Sequence, residues 1–285
     1  MKILIIGANG QLGSDLSLVL SEYKPICLTH QDIEVVEPES VSRVFKKYKP
    51  DIVINTSAFH NVVLCEKEPL MAFQVNTLGV KNLAENSLYY KSTLVHLSTD
   101  YVFDGKKKRP YTEDNCPHPI NIYGISKLAG EYIIRNILKK YFIIRTSALF
   151  GLHICRAKKT NFVETLLKLY REGKEIKVVN DEFTSPTYSL DLAKQIEEII
   201  KTEYYGIFHA CGHGFCSWYE FAKAIFDILK IKVKIIPVKA EDFHSEVKRP
   251  RFSVLENKRL KELGLDKMRH WKVTLKEYLK NKSLL

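Results

Sequence analysis

The N-terminal stretch KILIIGANGQLGSDLSLVL, residues 2–20, narrows the possible folds more than any other part of the chain. Ile3, Leu4, Ile5 and Ile6 form a short continuous apolar run, the pattern of a strand buried on both faces. Glycines follow at positions 7, 10 and 13, and Leu12, Leu16, Val19 and Leu20 recur at helical spacing. A strand that turns through glycines straight into a helix presents backbone N–H groups at the positive helix N-terminus, where they can cradle a pyrophosphate. The G-x-x-G-x-x-G spacing is a variant of the dinucleotide fingerprint, and its place at the first strand–helix junction makes it specific. Gly7, Asn9, Gly10, Gln11, Leu12 and Gly13 are thus candidates for the cofactor loop.

The same alternation continues downstream. PICLT, DIVINTS, STLVHLSTD and YFIIRTS read as strands. EPESVSRVFKKY opens with acidic residues and proline, as helix N-termini do, and a long helix is predicted from about Leu70 to Tyr90. Strands alternating with crossover helices imply a parallel sheet covered on both faces. After Gly151 the rhythm loosens into NFVETLLKLYREG, EIKVV, DLAKQIEEII, GIFHA, WYEFAKAIFDILK, VKIIPV and a closing helix at TLKEYLKNK. With no repeat, low-complexity segment or linker in the chain, two interlocked units are expected: residues 1–150 for the cofactor and 151–285 for the substrate.

The chain of 285 residues carries a net charge of +11. Its basic runs are scattered through loops and helix ends without an aromatic ladder, so a solvated lysine-rich surface that attracts anionic metabolites is expected, and no nucleic acid partner. No apolar run can span a bilayer and no signal-peptide core follows Met1, so a cytoplasmic protein without a membrane partner is expected. The six cysteines, at 27, 65, 116, 155, 211 and 216, form no C-x-x-C pair and read as reduced thiols. His209, Cys211, His213 and Cys216 are of zinc-ligand type. They follow a strand whose alternate side chains diverge, however, and no second ligand group is apparent, so no metal is expected.

In NIYGISKLAGE, Tyr123 and Lys127 stand four positions apart and share one face of a helix. A free tyrosine holds its proton to about pH 10. A neighbouring ammonium favours phenolate and lowers that value, as proton transfer near neutrality requires.

Taken together, GQLG, STDYVFDG, YGISK, VVNDEFTSPTYSLDLA, SWYEFA and RPRFSVL, in this order, resemble the dTDP-4-dehydrorhamnose reductase family of the extended short-chain dehydrogenase/reductase superfamily. The resemblance runs over essentially the whole chain. It implies a Rossmann-type doubly wound parallel sheet with a smaller C-terminal α/β substrate-binding region. It also implies NAD(P)H-dependent reduction of the C4 ketone of a 6-deoxy nucleotide sugar. Thr99 takes the place of the hydroxyl that hydrogen-bonds the substrate carbonyl, Tyr123 that of the proton donor, and Lys127 that of the lysine that lowers the tyrosine pKa and holds the nicotinamide ribose. Asp100 falls where the family contacts substrate. Gly10, Gln11 and Leu12 match the pyrophosphate loop, Asp32 and Ile33 the adenine contact, and Ala58, Phe59 and His60 the segment along the cofactor. Asn76 is a helper by motif.

Three departures stand out. Ala148 occupies the position of a tryptophan expected to line the sugar pocket, and the stretch LHICRAKK that follows is placed to fill the space. Val63 replaces an acid, and the alanine-rich turn after the third strand has become NTSAF. Some members bind magnesium at a dimer contact; Asp15 stands where they carry glutamate, no metal is expected, and a homodimer stays open. Asp32 lies beyond the second strand and no arginine faces a 2′-phosphate there, so NADH and NADPH both stay open. So do a reductase or epimerase of another nucleotide sugar, and a non-catalytic regulatory subunit resembling the beta subunit of methionine adenosyltransferase.

Overall fold

The computed structural model describes residues 1–153, 160–243 and 247–284. The first part of the chain runs β1 (Ile3–Ile6), α1 (Gln11–Val19), β2 (Ile26–Leu28), α2 (Pro38–Tyr48), β3 (Ile52–Asn55), α3 (Val62–Lys67), α4 (Pro69–Phe73), α5 (Gly79–Tyr90), β4 (Thr93–Thr99), α6 (Ile122–Ile137) and β5 (Tyr141–Thr146). The remainder runs β6 (Leu149–Phe150), α7 (Phe162–Arg171), β7 (Ile176–Val179), β8 (Phe183–Thr184), β9 (Thr187–Tyr188), α8 (Ser189–Ile200), β10 (Gly206–His209), β11 (Cys216–Ser217), α9 (Trp218–Ile228), β12 (Ile235–Val238), α10 (Lys258–Glu262) and α11 (Trp271–Asn281).

Among the described residues the main sheet has six strands, all paired in parallel, in the order β10-β5-β4-β3-β1-β2. The unbroken apolar run of β1 has a simple cause. Ile3 and Ile5 pack with Leu12 and Leu16 of α1 and Leu192 and Ile196 of α8, while Leu4 and Ile6 pack with Val41 and Phe45 of α2 and Leu83 of α5. Successive side chains point to opposite faces, and both faces are covered by helices. The result is a doubly wound α/β sheet. Because β2 lies on one side of β1 and β3 on the other, the chain reverses direction beside β1, and the crevice beyond the carboxyl ends there is the usual ligand position.

The sixth strand, β10, comes from beyond residue 150 and pairs with β5 through Ile207 and Ile143. α8 covers the sheet beside α1. Residue 150 thus marks where the chain first leaves the sheet, and the later segment returns to complete it. A smaller layer of β7 and β12, paired in parallel, packs with α7, α9 and α11 around Phe150, Leu166, Phe221, Trp271 and Tyr278.

The helix expected from Leu70 to Tyr90 contains a π-helical turn, Gln74–Leu78, between α4 and α5. Such turns are often found at functional sites. This one carries the buried Asn76, which accepts from Phe59 N at 2.9 Å and donates to Phe59 O at 2.9 Å and Ser126 Oγ at 3.0 Å. Asn76 therefore clamps the loop after β3 to α6.

Contacts at both ends hold α6 in place. At its start, Asn121 caps the helix by accepting from Gly124 N at 2.8 Å, and its amide donates to Lys248 O at 2.9 Å. In its third turn, Glu131 is fully buried and receives Arg145 Nε at 3.0 Å and the Arg145 terminal nitrogen at 2.6 Å. No helix among the described residues is long and apolar enough to cross a membrane.

Removing one partner of a buried pair leaves the other charge uncompensated. Glu131→Ala is expected to lower unfolding stability by about 3–5 kcal/mol, read as an earlier midpoint in urea.

Candidate active site

β4 ends in Ser98 and Thr99 at the carboxyl edge of the sheet, and Asp100 opens the turn that follows, beside the loop that joins β1 to α1. A cleft of about 1310 Å³ opens there. Its walls include Gly10 to Gly13, Ala58, His60, Thr99, Asp100, Tyr123 and Lys127 on one side, and Phe162, Glu182, Thr184, Trp218, Arg249 and Ser253 on the other. The volume is larger than a drug-sized ligand needs and suits two nucleotide-bearing molecules.

The glycine loop is shaped by close backbone approach. A Cβ on Gly13 would lie 2.1 Å from Gly7 O, so only glycine lets α1 start directly against the strand. Leu12 points into the core and offers the cleft its backbone. The Gln11 amide, with its oxygen toward β6, accepts from Phe150 N at 3.3 Å and Gly151 N at 3.2 Å. The loop thus fits a dinucleotide pyrophosphate: it is a cradle that a Cβ would fill, at a helix N-terminus whose N–H groups have no side-chain cap.

Gly124 does the same for the helix that carries Tyr123. A Cβ there would lie 2.1 Å from Tyr101 O, so the glycine in YGISK lets the first turn of α6 settle against the turn after β4. Tyr123 then lies close enough to Thr99 for that hydroxyl to influence its proton. Thr99 Oγ1 also accepts from Tyr101 N at 3.2 Å and donates to Asp100 Oδ1 at 3.1 Å. Ser147 donates to Asp100 Oδ2 at 3.0 Å and lies 2.6 Å from Thr184 Oγ1.

Burial dominates the electrostatics of this edge. It raises the Tyr123 phenol well above its ordinary value, with the Thr99 hydrogen bond opposing the shift. It pushes the Asp100 carboxyl up to about 6, against hydrogen bonds from Ser253, Ser147 and Thr99. Lys127 is brought down to about 8 by burial, with Glu131 opposing. Its amine donates to Leu97 O at 2.5 Å and lies 3.2 Å from His96 Nε2. Loss of solvent outweighs the neighbouring groups at Tyr123, and Lys127 is not among the groups named as shifting it.

The predicted residues do not all meet. Gly10, Gln11, Leu12, Gly13, Ala58, His60, Thr99, Asp100, Tyr123 and Lys127 line the cleft, while Gly7, Asn9, Asp32, Ile33 and Phe59 are not among its lining residues. The Asp32 carboxylate accepts from Thr29 N at 2.8 Å and Thr29 Oγ1 at 2.9 Å, closing a turn after β2. Ile33 is a core residue. Phe59 acts through its backbone, which Asn76 holds.

Ala148 lines the cleft in a left-handed conformation, φ 42°. Of the stretch expected to fill its space, Leu152 packs into the C-terminal core and His153 lies 3.6 Å from Asp15, while residues 154–159, including Cys155, lie outside the described residues. Among the aromatic residues lining the cleft, Phe162 and Trp218 have ring centres 4.8 Å apart. The cysteine–histidine group does not converge. His209 Nδ1 faces Tyr111 O and Glu256 O, Cys211 donates to Leu255 O, and His213 bonds Asp266. Among the described residues no three His, Cys, Asp or Glu side chains are grouped to hold a metal ion.

Several lining residues went unsingled in the sequence. Ser147, Thr184 and Ser253 lie in RTSAL, EFTSP and RFSVL, stretches whose chemistry emerges only when three distant segments meet over Asp100. His96, inside a buried strand, gave no signal.

The chain matches the family described as RmlD substrate binding domain over residues 1–284. It is 34% identical over 290 residues to a dTDP-4-dehydrorhamnose reductase of Aggregatibacter actinomycetemcomitans, covering 96% of this chain and 97% of that one. The chain belongs to the dTDP-4-dehydrorhamnose reductase family. The spore coat polysaccharide biosynthesis protein SpsK of Bacillus subtilis (strain 168) is 41% identical, with 99% of this chain and 98% of that protein covered. The crystal structure of a dTDP-4-dehydrorhamnose reductase from Bacillus anthracis str. Ames in complex with NADP superimposes with a TM-score of 0.94 at 38% identity, covering 99% of this chain and all of that one.

Asp100 gives this family member a testable pH signature. A carboxyl whose pKa rises from an unfolded value of about 3.9 binds its proton more tightly when folded. Its contribution to stability is complete below the unfolded value and is lost as pH rises through about 6. Asp100→Asn, which cannot titrate, is therefore expected to lose less unfolding free energy than the parent protein between about pH 4 and pH 7, measured by urea denaturation at both values.

Proposed function

We propose that the chain reduces the C4 ketone of dTDP-4-dehydro-L-rhamnose to the alcohol of dTDP-L-rhamnose, with NADPH or NADH as hydride source. As a member of its family it is an NAD(P)H-dependent oxidoreductase acting on a dTDP-sugar; the particular 4-ketosugar is our assignment. The observation that carries it is the pair of hydroxyl residues Thr99 and Tyr123, which line the same cleft as the glycine loop and are near enough for Thr99 to influence the Tyr123 proton.

Residues 1–150 hold the cofactor and supply the groups at the ketone, and residues 151–285 complete the sugar side of the cleft. Backbone N–H groups at Gly10 to Gly13 hold the pyrophosphate, and Ala58, His60 and Lys127 flank the path toward the nicotinamide end. A bound reduced nicotinamide supplies the hydride. Negative charge then gathers on the ketone oxygen, where Thr99 donates a hydrogen bond and Tyr123 surrenders its proton. The burial that keeps the phenol protonated suits a group that must enter the reaction as an acid. Asp100 fixes Thr99 and, with Ser147 and Thr184, offers polar partners to sugar hydroxyls. Lys248, Arg249 and Arg251 line the far wall, where cations favour a diphosphate, and Phe162 and Trp218 present ring surface to the base or sugar.

A second reading keeps this chemistry and changes the sugar. Ala148 favours it, since a methyl group stands where an indole is expected.

The test follows oxidation of NADPH and of NADH by absorbance with dTDP-4-dehydro-L-rhamnose as substrate. Turnover is expected, with Tyr123→Phe slower by about 10²–10⁴-fold and Thr99→Val slower by about 10²–10³-fold. Turnover with a different dTDP-4-ketosugar alone would move the assignment to the second reading. A Tyr123→Phe variant with unchanged rate would remove the proton donor.

A further inference from the structure

Glu182 lines the cleft on the wall built by the later part of the chain, and it is only 8% exposed. Alternation along Glu182, Phe183 and Thr184 fixes the way it faces. Phe183 turns its ring toward Phe215 and Phe252. Its two neighbours therefore share the opposite side. Thr184 shows what lies there: its Oγ1 is 2.6 Å from Ser147 Oγ, and Ser147 donates to Asp100 Oδ2 at 3.0 Å. All four side chains belong to residues that line the cleft.

The Glu182 carboxylate lacks the partners that its neighbours have. Burial raises its proton affinity, while Arg249, Arg251 and Asp181 act on it as charges; among the described residues none acts on it through a hydrogen bond. A carboxylate is an acceptor, and one taken out of water without a donor is costly to keep. The donor it suits comes from outside the protein.

Two sets of neighbours narrow that donor to one place on a sugar. Thr184, Ser147 and Asp100 lead from Glu182 to Thr99, the ketone end of the cleft. Arg249 and Arg251, close enough to act on the Glu182 charge, are cations that favour the diphosphate. A 4-ketosugar holds its ketone at C4 and its diphosphate at C1, at opposite corners of the ring. Along the edge that carries hydroxyls, C3 adjoins the ketone and C2 adjoins the carbon bearing the diphosphate. Asp100, Ser147 and Thr184 suit the C3 hydroxyl, and Glu182, beside the cations, suits that of C2.

We propose that Glu182 is a specificity-determining residue that accepts a hydrogen bond from the C2 hydroxyl of the sugar, so that the cleft selects 4-ketosugars with an oxygen at C2 over their 2-deoxy counterparts. The proposal rests on the reading of a dTDP-4-ketosugar in this cleft and adds a choice between classes of sugar. Charge sharpens that choice. A carboxylate repels a nearby diphosphate, so without the hydroxyl Glu182 works against binding. A 2-deoxysugar would cover the carboxylate and give it no donor, and a site built to bond a hydroxyl rejects an analogue that lacks it.

The test measures binding by calorimetry, with NADP⁺ saturating, for dTDP-L-rhamnose, its 2-deoxy counterpart and dTDP. The parent protein should prefer dTDP-L-rhamnose to the 2-deoxy sugar by about 10- to 100-fold. Glu182→Ala should bring the two within about threefold of each other. Glu182→Gln, which keeps a neutral acceptor oxygen, should fall between. dTDP alone should bind both variants as tightly as the parent protein or more so, which a merely disrupted wall would not allow. Binding of dTDP also reports that a variant is folded, and Glu182→Gln decides if Glu182→Ala is not. An unchanged preference in the variants, a parent protein with no preference, or parallel weakening of all three ligands would overturn the proposal. Turnover of dTDP-4-dehydro-L-rhamnose is read separately. No reduction, with the Glu182-dependent preference intact, would fail the reductase assignment and leave this inference standing; reduction without that preference would do the reverse.

Discussion

The carboxylate of Glu131 is the contact around which the site is organised. It sits at zero exposure among Arg145 of β5, Ser98 of β4 and the helix that bears it, and so joins α6 to two adjacent strands at once. Arg145 is further packed over the Phe103 ring, 5.3 Å from its centre. A buried ion pair of this kind adds little net stability compared with a well-packed apolar substitute, but it tolerates no alternative arrangement. What it secures is register. Lys127 is one turn before Glu131 and Tyr123 two turns before, so locking Glu131 beside Ser98 sets Tyr123 beside Thr99. Gly124 and the Asn121 cap finish the job at the other end, where a single Cβ would push the helix off the turn that carries Tyr101.

Desolvation is the common cause of the unusual chemistry that results. Tyr123, Asp100, Lys127 and His96 all lie within the same buried edge, and in each case loss of water is the largest influence on the proton. Its direction is the same in physical terms: every group is pushed toward its neutral form. A neutral phenol and a half-neutral carboxyl make a site that receives charge during reaction. The cationic side chains Lys248, Arg249 and Arg251 line the same cleft, where a diphosphate brings its own charge.

Much of this was legible from residue order, and the rest was not for definite reasons. The strand–glycine–helix junction at residues 3–19 and the tyrosine–lysine spacing at 123 and 127 are local patterns, and local patterns survive in sequence. The return of Gly206–His209 to the main sheet depends on a pairing with Ile143 across more than sixty positions, which no periodicity encodes. The π turn at Gln74–Leu78 reads as ordinary helix because no proline or glycine interrupts it; only the hydrogen bonds of Asn76 reveal what it is for. Asp32 stands at nearly the right distance from the glycine loop, yet spends its carboxylate on Thr29, and distance along the chain cannot report that choice. Ser147, Thr184 and Ser253 become a site only once the fold brings them to Asp100.

The central claim is that the cleft sets a reduced nicotinamide against the C4 carbonyl of a dTDP-4-ketosugar, with Tyr123 as the acid. The most direct measurement supplies NADPH deuterated at the transferable C4 position of the nicotinamide and locates the label in the product by proton and deuterium NMR. The account predicts dTDP-L-rhamnose with deuterium bound to C4 of the sugar and nowhere else. Label at another carbon, or reduced product without label, would contradict it.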